Sequence, residues 1–249
     1  MYLTSVAHTQ QYGLIGYPLS HSFSPGYFNA RFEKEGINAQ YNLYPIENIQ
    51  DLPAMLRNHT LHGLNVTIPH KQTIIPYLDA LDHTAAAIGA VNCVRIRNGH
   101  TKGYNTDVTG FSNSLQPLLQ PHHTSALILG TGGSSHAVAY ALQQLGISYR
   151  KISRSKGKDT IAYSHVTEEM IKETPLIINC TPIGMHPNEN AQPPLPYHAA
   201  TPAHLFYDLI YNPAETKFLY HGREQGAATK NGLEMLHLQA EASWHIWNS

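Results

Sequence analysis

Residues 125–146 read SALILGTGGSSHAVAYALQQLG, and this stretch decides the fold. An apolar run, ALIL, is followed by closely spaced glycines. Val138, Ala141, Leu142 and Leu145 then recur at spacings of three and four as far as Gly146. That pattern predicts a buried strand, a glycine turn and a helix closed by glycine. Gly130, Gly132 and Ser135 occupy the three positions of G-x-G-x-x-G. In that fingerprint the first two glycines let the backbone turn and approach a pyrophosphate, whose charge rests on the helix N-terminus. Ser135 puts another small residue where the third glycine would be. An ordinary tight turn in an α/β fold fits the same letters, so the flanking sequence has to discriminate.

Downstream, ISYRKIS, LIINC and HLFYDL supply further buried-strand candidates. An NAD-preferring site carries Asp or Glu about 20 residues after the glycines, to bind the ribose 2′-hydroxyl. Here that position reads Ser153-Arg154-Ser155-Lys156-Gly157-Lys158, with no carboxylate before Asp159. Arg154 and Lys158 can bind a 2′-phosphate and Arg154 can also stack on the adenine, which favours NADP(H); a plain basic surface turn is the other reading. Only about six residues separate Arg154 from IAYSHV, where a helical parallel crossover takes a dozen or so. The second crossover helix is therefore expected to be missing. A last helix from Gly232 to Trp247 places Leu233, Leu236, Ala240, Trp244 and Trp247 on one face.

Upstream, QYGLIG reads as a strand and Pro25 to Glu35 as a helix opened by proline and closed by Gly36. YNLYPI and HGLNVTI are further strands, and helical pieces continue through Ala87. AVNCVRI, Asn98-Gly99 and HTKGY form a strand, a type I′ turn signal and a return strand that adds an antiparallel edge. Strands alternating with helices imply an α/β unit with a mostly parallel sheet. DVTGFSNSLQPLL then bridges to the nucleotide-type unit, with the boundary near residue 105.

Composition narrows the function. The 249 residues carry 16 Lys+Arg against 17 Asp+Glu, a formal charge of -1, and only 13% are charged. Such a chain is not built to hold nucleic acid. No 18 apolar residues run together and the first residues show no basic n-region before an apolar stretch, so a soluble cytoplasmic protein is expected, with no membrane partner. The two cysteines, Cys93 and Cys180, sit in apolar runs and are expected as reduced core thiols. Seventeen histidines raise a metal site, but none has ligand spacing, so no metal is expected.

Three short segments in the first half carry polar chemistry. SHSFSP, residues 20–25, sets three hydroxyls before a helix, where one serine can be an N-cap or all can face a ligand. Residues 65–71, NVTIPHK, end a strand with a single lysine, and residues 104–107, YNTD, put Asp107 where it can cap the bridging helix. Hydride transfer between a nicotinamide and a carbonyl needs a proton donor and acceptor near the oxygen, and a Lys beside an Asp can serve. Nearby hydroxyls and amides would hold a polyhydroxylated substrate.

SHSFSP, GLNVTIPHK, GAVNCV, GYNTD, GTGGSS, SRS, NCTPIGM, YDLIYNP and NGLEMLHLQA follow in this order, and the chain resembles the shikimate dehydrogenase family from Gly16 to Gln239. The resemblance implies reversible NADPH-dependent reduction of 3-dehydroshikimate to shikimate, on the way to chorismate and the aromatic amino acids. It implies a two-domain α/β fold, residues 1–104 plus 232–249 binding substrate and residues 105–231 forming a Rossmann-type NADP-binding domain, with the active site in the cleft between them. By similarity Lys71 and Asp107 are the acid-base pair, and Ser22, Ser24, Asn65, Thr67, Asn92, Tyr211 and Gln239 bind substrate. Gly130, Thr131, Gly132, Gly133 and Ser134 would take the pyrophosphate, Ser153, Arg154, Ser155 and Lys158 the 2′-phosphate, and Leu209 with Gly232 would lie near the nicotinamide. Glu234 stands where the family often has a small residue. A monomer or homodimer acting on a small molecule is expected. The alternatives are a quinate/shikimate dehydrogenase using NAD, disfavoured by the missing acid, a methylene-tetrahydrofolate dehydrogenase, disfavoured by the hydroxyl-rich SHSFSP loop, and a catalytically silent NADPH-binding module.

Overall fold

A computed structural model describes residues 8–20 and 22–249. The first residues, on which the reading of no leader rested, lie mostly outside these, as does His21 of the SHSFSP run. By contacts the described chain divides into two units, one ending at Thr106 and including Ala240–Ser249, the other Asp107–Gln239.

The first unit is built on a six-stranded mixed sheet. Its elements are β1 (Gln10–Gly16), α1 (Ser24–Glu35), β2 (Ala39–Pro45), α2 (Leu52–Asn58), β3 (Gly63–Val66), β4 (Ala80–Leu81), α3 (His83–Ile88), β5 (Cys93–Arg97) and β6 (His100–Tyr104). They line up as β2-β1-β3-β5-β6-β4. β1 pairs parallel with β2 and β3, whereas β5 runs antiparallel to β3 and to β6. The residues of β1 from Tyr12 onward are buried on both faces, as an interior parallel strand requires. Asn98 and Gly99 both take positive φ, 51° and 78°, which is the type I′ geometry expected of Asn-Gly. The hairpin does not form the outermost strand. Two-residue β4 runs parallel along β6 and covers that edge; a strand this short leaves no alternation to read.

Gly36, at φ 65°, closes α1 as expected, and the Ile37 N–H reaches Phe32 O at 2.9 Å. No serine caps the other end. Phe23 is the N-cap residue, in helical conformation and without a side-chain cap. Helix α3 is capped in the usual way, Asp82 accepting from Ala85 N at 2.8 Å.

The second unit contains α4 (Asp107–Leu115), β7 (Ser125–Leu129), α5 (Gly133–Gln144), β8 (Ser148–Ser153), β9 (Thr160–Ala162), α6 (Glu168–Lys172), β10 (Leu176–Asn179), β11 (Leu205–Asp208), α7 (Lys217–Glu224), β12 (Ala228–Lys230) and the start of α8 (Leu233–Asn248). Its sheet is ordered β9-β8-β7-β10-β11-β12 and every pairing is parallel. Counted from β7, this is the 3-2-1-4-5-6 order of a dinucleotide-binding Rossmann fold. The crossover helix between β8 and β9 is absent, as the short spacing predicts. Residues 154–159 make the parallel return alone, because only three residue pairs join the strands and the path back is about 10 Å.

The division between units falls inside α8, between Gln239 and Ala240, where the sequence reading placed the whole helix with the first unit. The buried face of α8 is also rotated from the expected stripe. Met235, Ala240, Ser243 and Trp247 are buried and Leu233 is 43% exposed. Two glycines set that face. In the first unit the Trp247 indole fills the space a Cβ on Gly63 would need, and its Nε1 donates to Val94 O at 3.1 Å. In the second unit a Cβ on Gly110 would lie 2.5 Å from Met235 O. Both cysteines are free, and burial pushes the Cys93 thiol up to about 12. Among the described residues no helix is long and apolar enough to cross a membrane, and no cluster of three His, Cys, Asp or Glu could hold a metal.

Candidate active site

In an open parallel sheet the ligand crevice lies outside the carboxyl ends of the strands, where the order reverses. In the second unit this is the end of β7 and β10. Gly130 takes φ 106°, a conformation L residues avoid, and its N–H donates to Ile152 O at 2.8 Å. A Cβ there would also crowd Thr181 Cγ2 at 3.0 Å. Gly132 is the N-cap residue of α5. No side chain caps this helix, and a Cβ on Gly132 would meet nothing within 4 Å. The α5 N-terminus, from Thr131 through Gly133 and Ser134, thus borders open space and suits an anionic group. Ser135 is fully buried, and its hydroxyl turns back to Gly132 O at 2.6 Å. This cradle fits the pyrophosphate of a dinucleotide.

Beyond β8 the six-residue arch is tied by its own hydroxyls. Ser153 Oγ donates to Ser155 O at 2.8 Å, and Thr160 Oγ1 to the same carbonyl at 3.4 Å. Arg154 and Lys158 are left exposed on it, with Ser153 where an NAD site would carry an acid. At the other side of the switch point, Leu209 and Gly232 come together, since a Cβ on Gly232 would overlap the Leu209 carbonyl.

Between these positions lies Asp208, at the end of β11 and fully buried. It accepts from Thr216 Oγ1 at 2.7 Å and, through Oδ1, from Asn179 Nδ2 and Ile210 N at 3.0 Å each. Burial raises its pKa to about 7, against the pull of those donors. Tyr211 is half-buried, and burial raises its phenol.

Asp107 is buried at the first position of α4. Gly110, three residues on, brings that helix face against α8, where a Cβ would stand 3.0 Å from Gln239 Cβ. Asp107 and Gln239 therefore lie on packed faces of one unit, and Gln239 Nε2 turns to Leu236 O at 3.0 Å. The Cys180 thiol, after β10, is pushed up mainly by burial, then by the charges of Asp208 and Asp107.

In the first unit, Lys71 follows β3 in a loop whose backbone is pinned, Lys71 O accepting from Val91 N at 2.7 Å. The same unit holds a buried polar network. Tyr41 OH donates to Asn65 Oδ1 at 2.8 Å, and Asn65 Nδ2 donates to Ser243 Oγ at 3.0 Å and to Asn92 O at 3.2 Å. Asn92 Nδ2 donates to Thr106 Oγ1 at 2.9 Å, Thr106 N donates to Asn92 Oδ1 at 2.6 Å, and the Thr106 and Ser243 hydroxyls lie 3.2 Å apart. Ser24, at the start of α1, hydrogen-bonds Tyr41, whose phenol burial pushes well up. Ser22 Oγ donates to Leu19 O at 2.8 Å, and half-buried Thr67 is placed by its N–H on Ile15 O at 2.9 Å.

The structure thus brings Asn65 and Asn92 into one internal network, while Thr67 and Lys71 are half-buried. Sequence reasoning missed Tyr41, Thr106, Ser243, Asn179 and Asp208. Two had a signal: Ser243 interrupts the Ala240-Trp247 face, and Asp208 ends the apolar run LFY.

A family model described as the shikimate dehydrogenase substrate binding domain matches residues 14–94. The NADP(+) shikimate dehydrogenase of Caldanaerobacter subterraneus is 38% identical, covering 96% of this chain and 91% of its own length. The crystal structure of shikimate dehydrogenase from Aquifex aeolicus superposes with a TM-score of 0.87 at 37% identity, over 97% of this chain and 93% of that one. The Thermus thermophilus enzyme, solved in complex with NADP(H) and shikimate, matches at TM-score 0.85 and 30% identity over 96% and 93%.

Proposed function

The chain belongs to the shikimate dehydrogenase family, and from that premise we propose that it reduces 3-dehydroshikimate to shikimate with NADPH, reversibly, in the route through chorismate to the aromatic amino acids. The observation that carries the reading is the 3-2-1-4-5-6 parallel sheet, with its uncapped glycine turn and a basic arch in place of an acid.

NADPH, when bound, supplies the hydride to the carbonyl carbon. The residues of this chain supply the rest. The Lys71 ammonium gives a proton to the carbonyl oxygen as it becomes a hydroxyl, and takes it back in the reverse direction, with Asp107 as its acid-base partner. Ser22, Ser24, Thr67, Tyr211 and Gln239 carry direct contacts to the substrate hydroxyls and carboxylate. Asn65 and Asn92, drawn inward by their network, hold the rim that presents Thr67 and Lys71. Gly130, Thr131, Gly132, Gly133 and Ser134 receive the pyrophosphate. Ser153, Arg154, Ser155 and Lys158 receive the 2′-phosphate, whose charge the exposed guanidinium and ammonium match. Leu209 and Gly232 flank the nicotinamide. The protein works on a small molecule in the cytoplasm, as a monomer or homodimer and without nucleic acid.

Purified protein mixed with shikimate or quinate and NADP+ or NAD+ tests this by the appearance of reduced cofactor. Shikimate with NADP+ is expected to react fastest. Preference for NAD+ would reject the 2′-phosphate assignment, and no reduction with any pair would favour a silent NADPH-binding module.

A further inference from the structure

Asp208 is a fully buried carboxylate to which the proton transfer assigns no part, and its bonds run along the whole cofactor edge of the second sheet. It holds the loop after β11 through Ile210 N and Thr216 Oγ1, the latter also accepting from Leu219 N at 3.3 Å as the cap of α7. Through Asn179 Nδ2 it holds the loop after β10. Asn179 Oδ1 in turn accepts from Thr181 N at 3.0 Å and Thr181 Oγ1 at 2.6 Å. The methyl of that threonine is the atom that a Cβ on Gly130 of the glycine turn would meet, at 3.0 Å. Leu209, covalently next to Asp208, carries the carbonyl against Gly232.

All three groups donate to Asp208 as arranged, and a carboxylate accepts them together without any of them having to turn. An apolar residue at the end of a buried strand would be cheaper to desolvate. We propose that Asp208 is the positioning residue of the cofactor site, its ionised carboxylate holding the loops after β7, β10 and β11 in register for NADPH. This deepens the assignment of that edge to NADPH and does not depend on which substrate is reduced.

The state of the carboxylate then becomes visible in binding. Its pKa of about 7 means that it gains a proton as pH falls through neutrality. A protonated Asp208 is itself a donor, and of its three partners only the Thr216 hydroxyl can turn away. The titratable groups beside it, Cys180 and Tyr197, are held up by burial and stay protonated in this range. Lys151 and Asp107 act on Cys180 from β8 and α4.

The test measures NADPH dissociation constants by cofactor fluorescence from pH 5.5 to 8.5, which needs no turnover, for wild type, Asp208→Asn and Thr216→Val. Asp208→Asn is expected to weaken binding at least fivefold at pH 8 and to converge on wild type below pH 6, where the native carboxyl is protonated. The difference between the two curves removes the titration of the cofactor's own phosphate. Thr216→Val, which removes a donor to the carboxylate, is expected to move the transition to higher pH and keeps the proposal testable if Asp208→Asn fails to fold. Binding by Asp208→Asn within twofold of wild type at pH 8, or curves that run parallel across the range, would overturn the proposal, as would an unmoved transition in Thr216→Val. If wild type binds NADPH but reduces no dehydroshikimate, the catalytic reading fails and this one stands.

Discussion

The two six-stranded sheets present their functional edges by different means. In the second sheet, where every ladder is parallel, the edge proposed for the cofactor is made largely of backbone: an uncapped helix N-terminus, a glycine in a left-handed conformation and the Leu209 carbonyl against Gly232. In the first sheet, where β5 and β6 run antiparallel, the edge proposed for the substrate carries polar side chains in the same unit as a buried amide and hydroxyl network. A dinucleotide phosphate is a large anion that oriented peptide dipoles can bind without a specific side chain. A small polyol acid offers only hydroxyls and a carboxylate, which need individually placed donors and acceptors. The consequence is that substitutions on the first edge should divide sharply between catalytic and inert, whereas those on the second should be graded by how far they disturb the main chain.

The strongest way to break this contrast is Lys71→Ala. Removing a general acid-base group typically costs 10²–10⁴-fold in rate, and the effect belongs to the transition state. Turnover is expected to fall by about that factor while the shikimate dissociation constant stays within a fewfold of wild type. Equal losses in both would mean that Lys71 only binds. Next comes Gly232→Ala, whose methyl meets the Leu209 carbonyl. Overpacking of this kind costs about 1–3 kcal/mol. NADPH affinity should drop on the order of tenfold with kcat less affected, and an unchanged affinity would remove Leu209 and Gly232 from the cofactor edge.

Arg154→Ala probes a side-chain contact at an edge otherwise built of backbone. Arg154 sits on an exposed arch, so its charge-assisted bond to a phosphate is screened and is worth about 1.4 kcal/mol, or tenfold. The loss should appear for NADPH and not for NADH. Comparable weakening of both would show that the arch reads the adenine rather than the 2′-phosphate.

Much of this was legible in the letters because it depends on local chemistry. Strand, glycine turn and helix at residues 125–146, the Asn98-Gly99 turn and the missing crossover after Ser153 all follow from spacing and from where positive φ is allowed. The family motifs supply the remaining site residues as expectations from resemblance. What stayed hidden depends on partners distant in sequence. β4 is defined by its parallel pairing with β6, whose residues lie some twenty positions on. The stripe on α8 turns toward Gly63 and Gly110, residues far from it in the chain. The serines of SHSFSP satisfy the capping rule by composition but not by geometry, since Phe23 takes the cap position in a helical conformation. Asn65 and Asn92 look like ligand groups in a motif, and only the fold reveals that Ser243, Thr106 and Tyr41 already occupy them.

Ser243 is where anchor and contact separate most cleanly. Ser243→Ala deletes the acceptor of the Asn65 amide and the neighbour of the Thr106 hydroxyl, in a position that is fully buried. Asn65 Nδ2 still donates to Asn92 O, so the loss is one bond of two and should cost about 1 kcal/mol of folding stability. Neither Thr67 nor Lys71 loses a backbone anchor, because those run to Ile15 and Val91. The melting temperature should therefore fall by a few degrees while kcat and the shikimate KM stay within about twofold. A stable variant with a raised shikimate KM would place the network in direct contact with substrate, and Asn65 and Asn92 would return from anchors to ligands.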